Sequence, residues 1–144
     1  MKQFKLLFLS LFLMPVFCLG QDVYELKWGP ENRYKGALIV YELEESGIAR
    51  IKWDDNMIEQ SFVLEYSNDV MVLDGYDPVY AGTNVSHSSY NADNFYITID
   101  DNGVYNCLNI DDANSISKVS IRKIIGNRAV KNKFLKEFKL SVSE

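Results

Sequence analysis

A chain of 144 residues, 47% hydrophobic and 24% charged, with eight glycines and three prolines, has the size of one domain. It is too apolar to be a disordered chain and too short for an α/β-barrel enzyme. Its net charge of −5 argues against nonspecific nucleic-acid binding, because a phosphate backbone repels an acidic protein.

The chain opens with Lys2 and Lys5 ahead of a run, Leu6 to Leu19, that is apolar except at Ser10 and Pro15. A basic start, an apolar middle and small residues at the end form a secretory signal peptide over 1–20, with cleavage after Gly20. The run falls short of the ~20 residues of a spanning helix, and Pro15 interrupts it. Cys18 raises a lipoprotein reading, but Phe17 stands where that signal wants a small residue. The expected product is a single domain, 21–144, secreted or held in the periplasm or cell envelope, without a transmembrane helix. It carries 13 basic and 20 acidic residues, net −7. The charge is uneven: 21–117 is strongly acidic, whereas 118–140 holds eight basic residues and one acid. Loss of Cys18 leaves Cys107 without an intramolecular partner, so the hydrophobic core must hold the domain. Cys107 itself reads as a small buried apolar residue in a strand.

From residue 22 onward the dominant pattern has a period of two. Strands are expected near 22–28, 34–44, 47–53, 57–66, 69–74, 94–100, 103–110 and 117–125, with a further short one open at 78–82. Ala49, Ile51 and Trp53 share one face. Ile58, Phe62, Leu64 and Tyr66 share another, with Gln60 among them. Phe95, Ile97 and Ile99 share a third, and Val119, Ile121 and Ile125 a fourth that Lys123 interrupts. Ala37 to Tyr41 is apolar at every position, as in a strand buried on both sides or one crossing between layers. Short turn sequences such as Asp54-Asp55-Asn56, Ser67-Asn68-Asp69 and Asp100-Asp101-Asn102-Gly103 separate the strands. They leave no room for a parallel crossover. The fold class is therefore mainly all-β: an antiparallel meander of about 8–9 strands, closed as a small barrel or stacked as a two-sheet sandwich, the barrel being favoured. After Gly126, Asn127 is an N-cap for one short C-terminal helix at about 127–139, with Val130, Phe134 and Phe138 on its apolar stripe. This helix is expected to cover an open end of the strands, with Lys131 snorkelling past the stripe. Residues 141–144 are expected to fray. In outline the arrangement resembles small secreted β-barrels such as the lipocalins, a likeness of architecture that implies no function.

The residues offer little catalytic chemistry. His87 is the one histidine, so a three-histidine zinc site is excluded, and no nucleophile stands in a recognisable motif with a base. The pairs Asp54-Asp55, Asp100-Asp101 and Asp111-Asp112 fall where turns are expected and read as turn chemistry. No catalytic residue, metal ligand or cofactor is assigned. The least ordinary segment is 75–93, a Tyr/Ser/Asn-rich connection, long for a meander. Tyr76, Tyr80 and Tyr90 with His87 are candidates to line a recognition patch, since tyrosine offers rigid contact area and Ser and Asn offer adaptable hydrogen bonds. Trp28, before Gly29-Pro30, either plugs a barrel end or stacks on a ligand at its mouth. The function expected is a non-catalytic binding module for an unidentified protein, peptide or carbohydrate. The alternatives are a carrier of a small apolar ligand inside a barrel and, lower, a carboxylate-dependent hydrolase.

Overall fold

The computed structural model describes residues 20–111 and 113–143. The expected signal peptide falls on residues outside these, as do Asp112 and Glu144. Eight antiparallel strands follow one another around a closed barrel: β1 (Gln21–Trp28), β2 (Tyr34–Tyr41), β3 (Ser46–Trp53), β4 (Asn56–Ser67), β5 (Val70–Tyr80), β6 (Asn94–Ile99), β7 (Tyr105–Ile110) and β8 (Ile116–Lys123). Pairing of β1 with β8 closes the cylinder through four residue pairs, Tyr24 to Lys27 against Lys123 to Ser120. Closure removes both exposed edges, which is how a meander of this length avoids pairing with other chains.

Turn residues place the strands in register. Ser67 pairs with Val70 across Asn68 and Asp69, and both take positive φ, 48° and 66°. That is the backbone of a type I′ hairpin, tolerated best by Asn, Asp and Gly. In the turn between β6 and β7, Asp100 Oδ1 accepts from the N–H groups of Asn102 and Val104, both at 2.9 Å. The connections 29–33, 54–55, 81–93 and 111–115 gather at one end of the barrel. The turns at 42–45, 68–69 and 100–104 lie at the other.

The inward residues fill the barrel. Leu26, Leu38, Ile51, Ile58, Phe62, Leu73 and Phe95 belong to one cluster and have no exposed surface. Strand β2 is buried on both faces, as its unbroken apolar run predicts. Leu38 and Val40 point into the barrel, while Ala37 and Ile39 point outward into a second cluster with Val23, Ile124, Leu135, Phe138 and Val142. The inward faces read from sequence fade near the strand ends, where Tyr66 and Ile99 are exposed. The apolar face of β8 also ends earlier than its pattern implies. Ile125 is exposed, whereas Ile124 is buried in the outer cluster, its N–H donating to the Val23 carbonyl at 2.8 Å.

Helix α1 (Arg128–Leu135) is capped by Asn127, whose Oδ1 accepts from Val130 N at 3.1 Å, and a 3-10 turn over Lys136–Phe138 continues it. The helix does not cover an open end. It lies along the outside of the wall, where Leu135 and Phe138 cover Val23, Ala37 and Ile39. The reason is area: the outer faces of β1 and β2 form an apolar strip that water would otherwise wet, and the helix supplies the matching stripe. Val130 remains exposed, so the buried stripe is shifted from the Val130–Phe134–Phe138 reading toward Leu135. Lys131 does snorkel, its Nζ donating to the Gln21 carbonyl at 2.8 Å. Arg50 reaches from β3 to bond the carbonyls of Phe138 and Lys139, at 3.1 and 2.8 Å.

Val142 and Ser143 are held rather than frayed. Val142 is buried, and its N–H donates to Asn132 Oδ1 at 2.8 Å. Ser143 and the Gln21 side chain exchange two further hydrogen bonds. No helix among the described residues is long and apolar enough to cross a membrane.

Candidate functional site: the aromatic end of the barrel

The segment from Gly75 to Asp93 divides in two. Residues 75–80 continue β5, and only 81–93 form a connection. The continuation depends on a bulge. Ser61 pairs with Tyr76 and Glu59 with Val79, so Asp77 and Pro78 together oppose Gln60. Asp77 takes a positive φ of 50°, and Pro78, with no N–H, sits where the ladder is already broken. The returning loop then pairs with this extension: Tyr80 N–H donates to the Val85 carbonyl and His87 N–H to that of Pro78, both at 2.9 Å.

A buried amide fastens the loop's far end. Gln60 lies on the inner face of β4 with no exposed surface. Its Nε2 donates to the Asp93 carbonyl at 2.9 Å, and its Oε1 accepts from Asp93 N–H at 3.0 Å. Gly75 makes the approach possible without needing unusual φ, because a Cβ there would stand 2.3 Å from the Asp93 carbonyl oxygen and 2.7 Å from Gln60 Nε2. Asn94 Oδ1 accepts from Gly75 N–H at 2.9 Å, and the Tyr90 hydroxyl donates to the Asp93 carboxylate.

Above this clasp, rings run in unbroken contact from the core to the rim. Phe62 meets Phe95 edge-on at 5.8 Å, and Phe95 meets Trp28 edge-on at 5.5 Å. Trp28 stacks on Tyr34 at 5.6 Å, and Tyr34 reaches Trp53 at 6.1 Å. Trp53 stacks on Tyr90 at 5.3 Å and touches His87, which packs against Tyr80 at 4.5 Å. These separations are in the range where aromatic pairs attract beyond their area burial.

Of the five residues expected at a site, the structure brings together Trp28, Tyr80, His87 and Tyr90. Trp28 is only 6% exposed, set into the core with its margin on the mouth, while Tyr80 is 43% exposed at the rim. The bulge explains Tyr80: its partner is Ile58, an inward residue, so it rises on the inner side of the wall. Tyr76, opposite Ser61 and before the bulge, stays on the outer side and takes no part in the ring series. Tyr34 and Trp53 join the group; sequence alternation had placed Trp53 in the core and left Tyr34 unmarked.

Beside the rings lies a recess of about 310 Å³. Trp28, Tyr34 and Tyr90 supply its apolar part, and Asp93, Asn109, Asp111 and Ser117 its polar part. Asn109 faces inward on β7, two residues beyond Cys107, and is 3% exposed; its Nδ2 has no hydrogen-bond partner among the described residues. A buried donor without an acceptor costs about 1–3 kcal/mol, so such groups call for an explanation. Gln60 and Asn109 are the residues that alternation could have marked, each being a polar side chain in an otherwise apolar inward series.

The first acid of each pair is held in a turn or an ion pair. Asp111 Oδ1 accepts from the N–H groups of Ala113 and Ser115, at 3.0 and 2.8 Å. Asp54, at φ 49°, bonds Arg33 at 2.6 Å. Among the described residues no group of three His, Cys, Asp or Glu is placed to hold a metal ion. Cys107 belongs to the inner cluster, and burial pushes its thiol up to about 12. A thiol so placed is a poor nucleophile.

The chain matches no family model, no curated protein and no solved structure.

Proposed function

We propose that residues 21–144 form a secreted or periplasmic, non-catalytic binding module whose recognition surface is the aromatic end of the barrel. The observation that carries this reading is the ring series from Trp28 to Tyr80, mounted on a rigid wall and opening beside a recess. Rings fixed on a stiff scaffold give contact area at small entropic cost. The loop that bears His87 and Tyr90 is fastened by Gln60, so the surface is formed before any partner arrives. The filled interior speaks against a carrier of apolar ligands, since Phe62, Phe95 and the surrounding aliphatic residues already occupy the space an apolar guest would need.

The test is an array of glycans and peptides probed with the 21–144 protein, followed by Tyr80→Ala and His87→Ala variants. Both residues lie at the rim, so far-UV circular dichroism should not change. Retention on the array should fall by roughly tenfold or more, as expected for aromatic contacts at the centre of a binding surface. Retention that ignores both substitutions refutes the proposal. Periplasmic or culture-medium recovery of a chain starting at Gln21 tests the expected address.

A further inference from the structure

We infer that the recess beside the rings receives one neutral sugar ring, held through two adjacent hydroxyl groups; this rests on the aromatic end being the binding surface. The argument starts at Asn109. Asn109 lines the recess, and its Nδ2 is buried without a partner among the described residues, so an occupant that offers an acceptor there removes an unpaired donor. Two of the other lining residues are of the opposite kind, while Ser89, Asn91 and Ser117 can donate or accept. Asp93 and Asp111 line the same recess, and carboxylates accept only. An occupant matched to both must accept at one atom and donate from the next. A pair of neighbouring hydroxyls does this, because each hydroxyl donates one proton and offers two lone pairs.

Charge narrows the class further. Among the described residues lining the recess none is basic, and two are acids. A phosphate, sulfate or uronic acid would therefore meet repulsion without a counter-charge. An ammonium group would suit the carboxylates and the rings, but it has no lone pair and would leave Asn109 Nδ2 as lonely as before. The rings supply the remaining element. Trp28, Tyr34 and Tyr90 line the recess, Trp28 stacked on Tyr34 and Tyr90 on Trp53, and their margins offer apolar contact to the C–H surface of a pyranose. A volume of about 310 Å³ is at the lower limit for small-molecule sites, which fits a single ring rather than an extended chain.

The experiment is a ¹H–¹⁵N titration of the 21–144 protein with glucose, galactose, mannose and N-acetylglucosamine at millimolar concentration, alongside glucuronate and choline. At least one neutral sugar should shift the Asn109 side-chain amide and the Trp28 indole N–H saturably, with glucuronate and choline weaker by roughly tenfold or more, the value of one hydrogen bond or charge contact. Asn109→Leu should then lose binding by a similar factor while melting at the same temperature or higher, since the substitution also removes the unpaired buried donor. A merely structural amide would raise the melting temperature and leave the sugar untouched. If Asn109→Leu does not fold, the wild-type titration decides alone. Unmoved Asn109 resonances with every neutral sugar, or tighter binding of choline, overturn the inference. Peptides that depend on Tyr80 and His87 in that case leave the binding-module reading standing, whereas sugar shifts confined to the opposite end of the barrel overturn both.

Discussion

Replacing Gln60 by Glu changes one atom of the clasp and turns it into a pH-dependent one. Glu and Gln have the same shape, so the oxygen accepting from Asp93 N–H is retained. The other oxygen replaces a donor and faces the Asp93 carbonyl, now 2.9 Å away. A protonated carboxyl donates to that carbonyl and restores the pair; an ionised one repels it. Position 60 has no exposed surface, and full burial raises a carboxyl by about 3–5 units. At 1.36 kcal/mol per unit, even the lower figure is worth roughly 4 kcal/mol, a large share of the ~5–15 kcal/mol that holds a typical domain. The sign follows from linkage. Below the unfolded value of about 4.3, both states are protonated and Gln60→Glu matches the wild type. As pH rises above that value the unfolded chain releases its proton first, and stability falls until the folded carboxyl also ionises. Urea denaturation of both proteins at acid and neutral pH measures the difference directly. Hydrogen exchange at the Asp93 amide shows whether the loop releases before the barrel does. A variant whose stability follows the wild-type pH profile would refute the assignment of Gln60 as the fastening of 81–93.

Three further outcomes follow from particular contacts. Burial acts to raise the Glu25 carboxyl, but hydrogen bonds and charge from Arg122, at 3.0 Å, and Lys27 outweigh it and hold the group below its usual range. The stabilisation is thus present above about pH 4.3 and is lost as pH falls through the lowered folded value. Amides of Glu25 and Arg122 at the β1–β8 seam should lose exchange protection in acid before those of β3 and β4. Phe138→Ala should cost about 3 kcal/mol by denaturant unfolding, because it removes a nearly buried ring from the outer cluster. Cys107 should resist alkylation near pH 9 in the folded protein and react at once in urea, since its thiol is pushed up to about 12 and is buried; rapid modification of the native chain would contradict its place in the core.

Alternation located the strands because most of them bury one side only, and the double burial of β2 was legible in Ala37 to Tyr41. What covers the outer side of β2 was not. A helical stripe announces that it needs a partner, and the partner was written elsewhere, in Val23, Ala37, Ile39 and Ile124. The break at Gly75–Pro78 was misread for a physical reason: Gly, Asp and Pro signal turns, and here they serve a bulge inside a longer strand. That bulge also separates Tyr76 from Tyr80, which share a side by simple counting. The aromatic residues of the loop were conspicuous in composition, whereas Tyr34 and Trp53 reach the same end because β2 begins and β3 ends there. Gln60 shows in the sequence only as a polar member of an apolar series, and Asn109 passes unmarked; the meaning of Gln60 depends on Asp93, a residue far from it in sequence.

Gln21 and Ser143 are hydrogen-bonded to each other at the end of the cylinder that carries the short turns, and Lys131 binds the Gln21 carbonyl there as well. A tether, fusion partner or solid support attached beyond either position would therefore hold the molecule by its base. The rim with Tyr80 and His87 would point away from the attachment, free to sample whatever diffuses past.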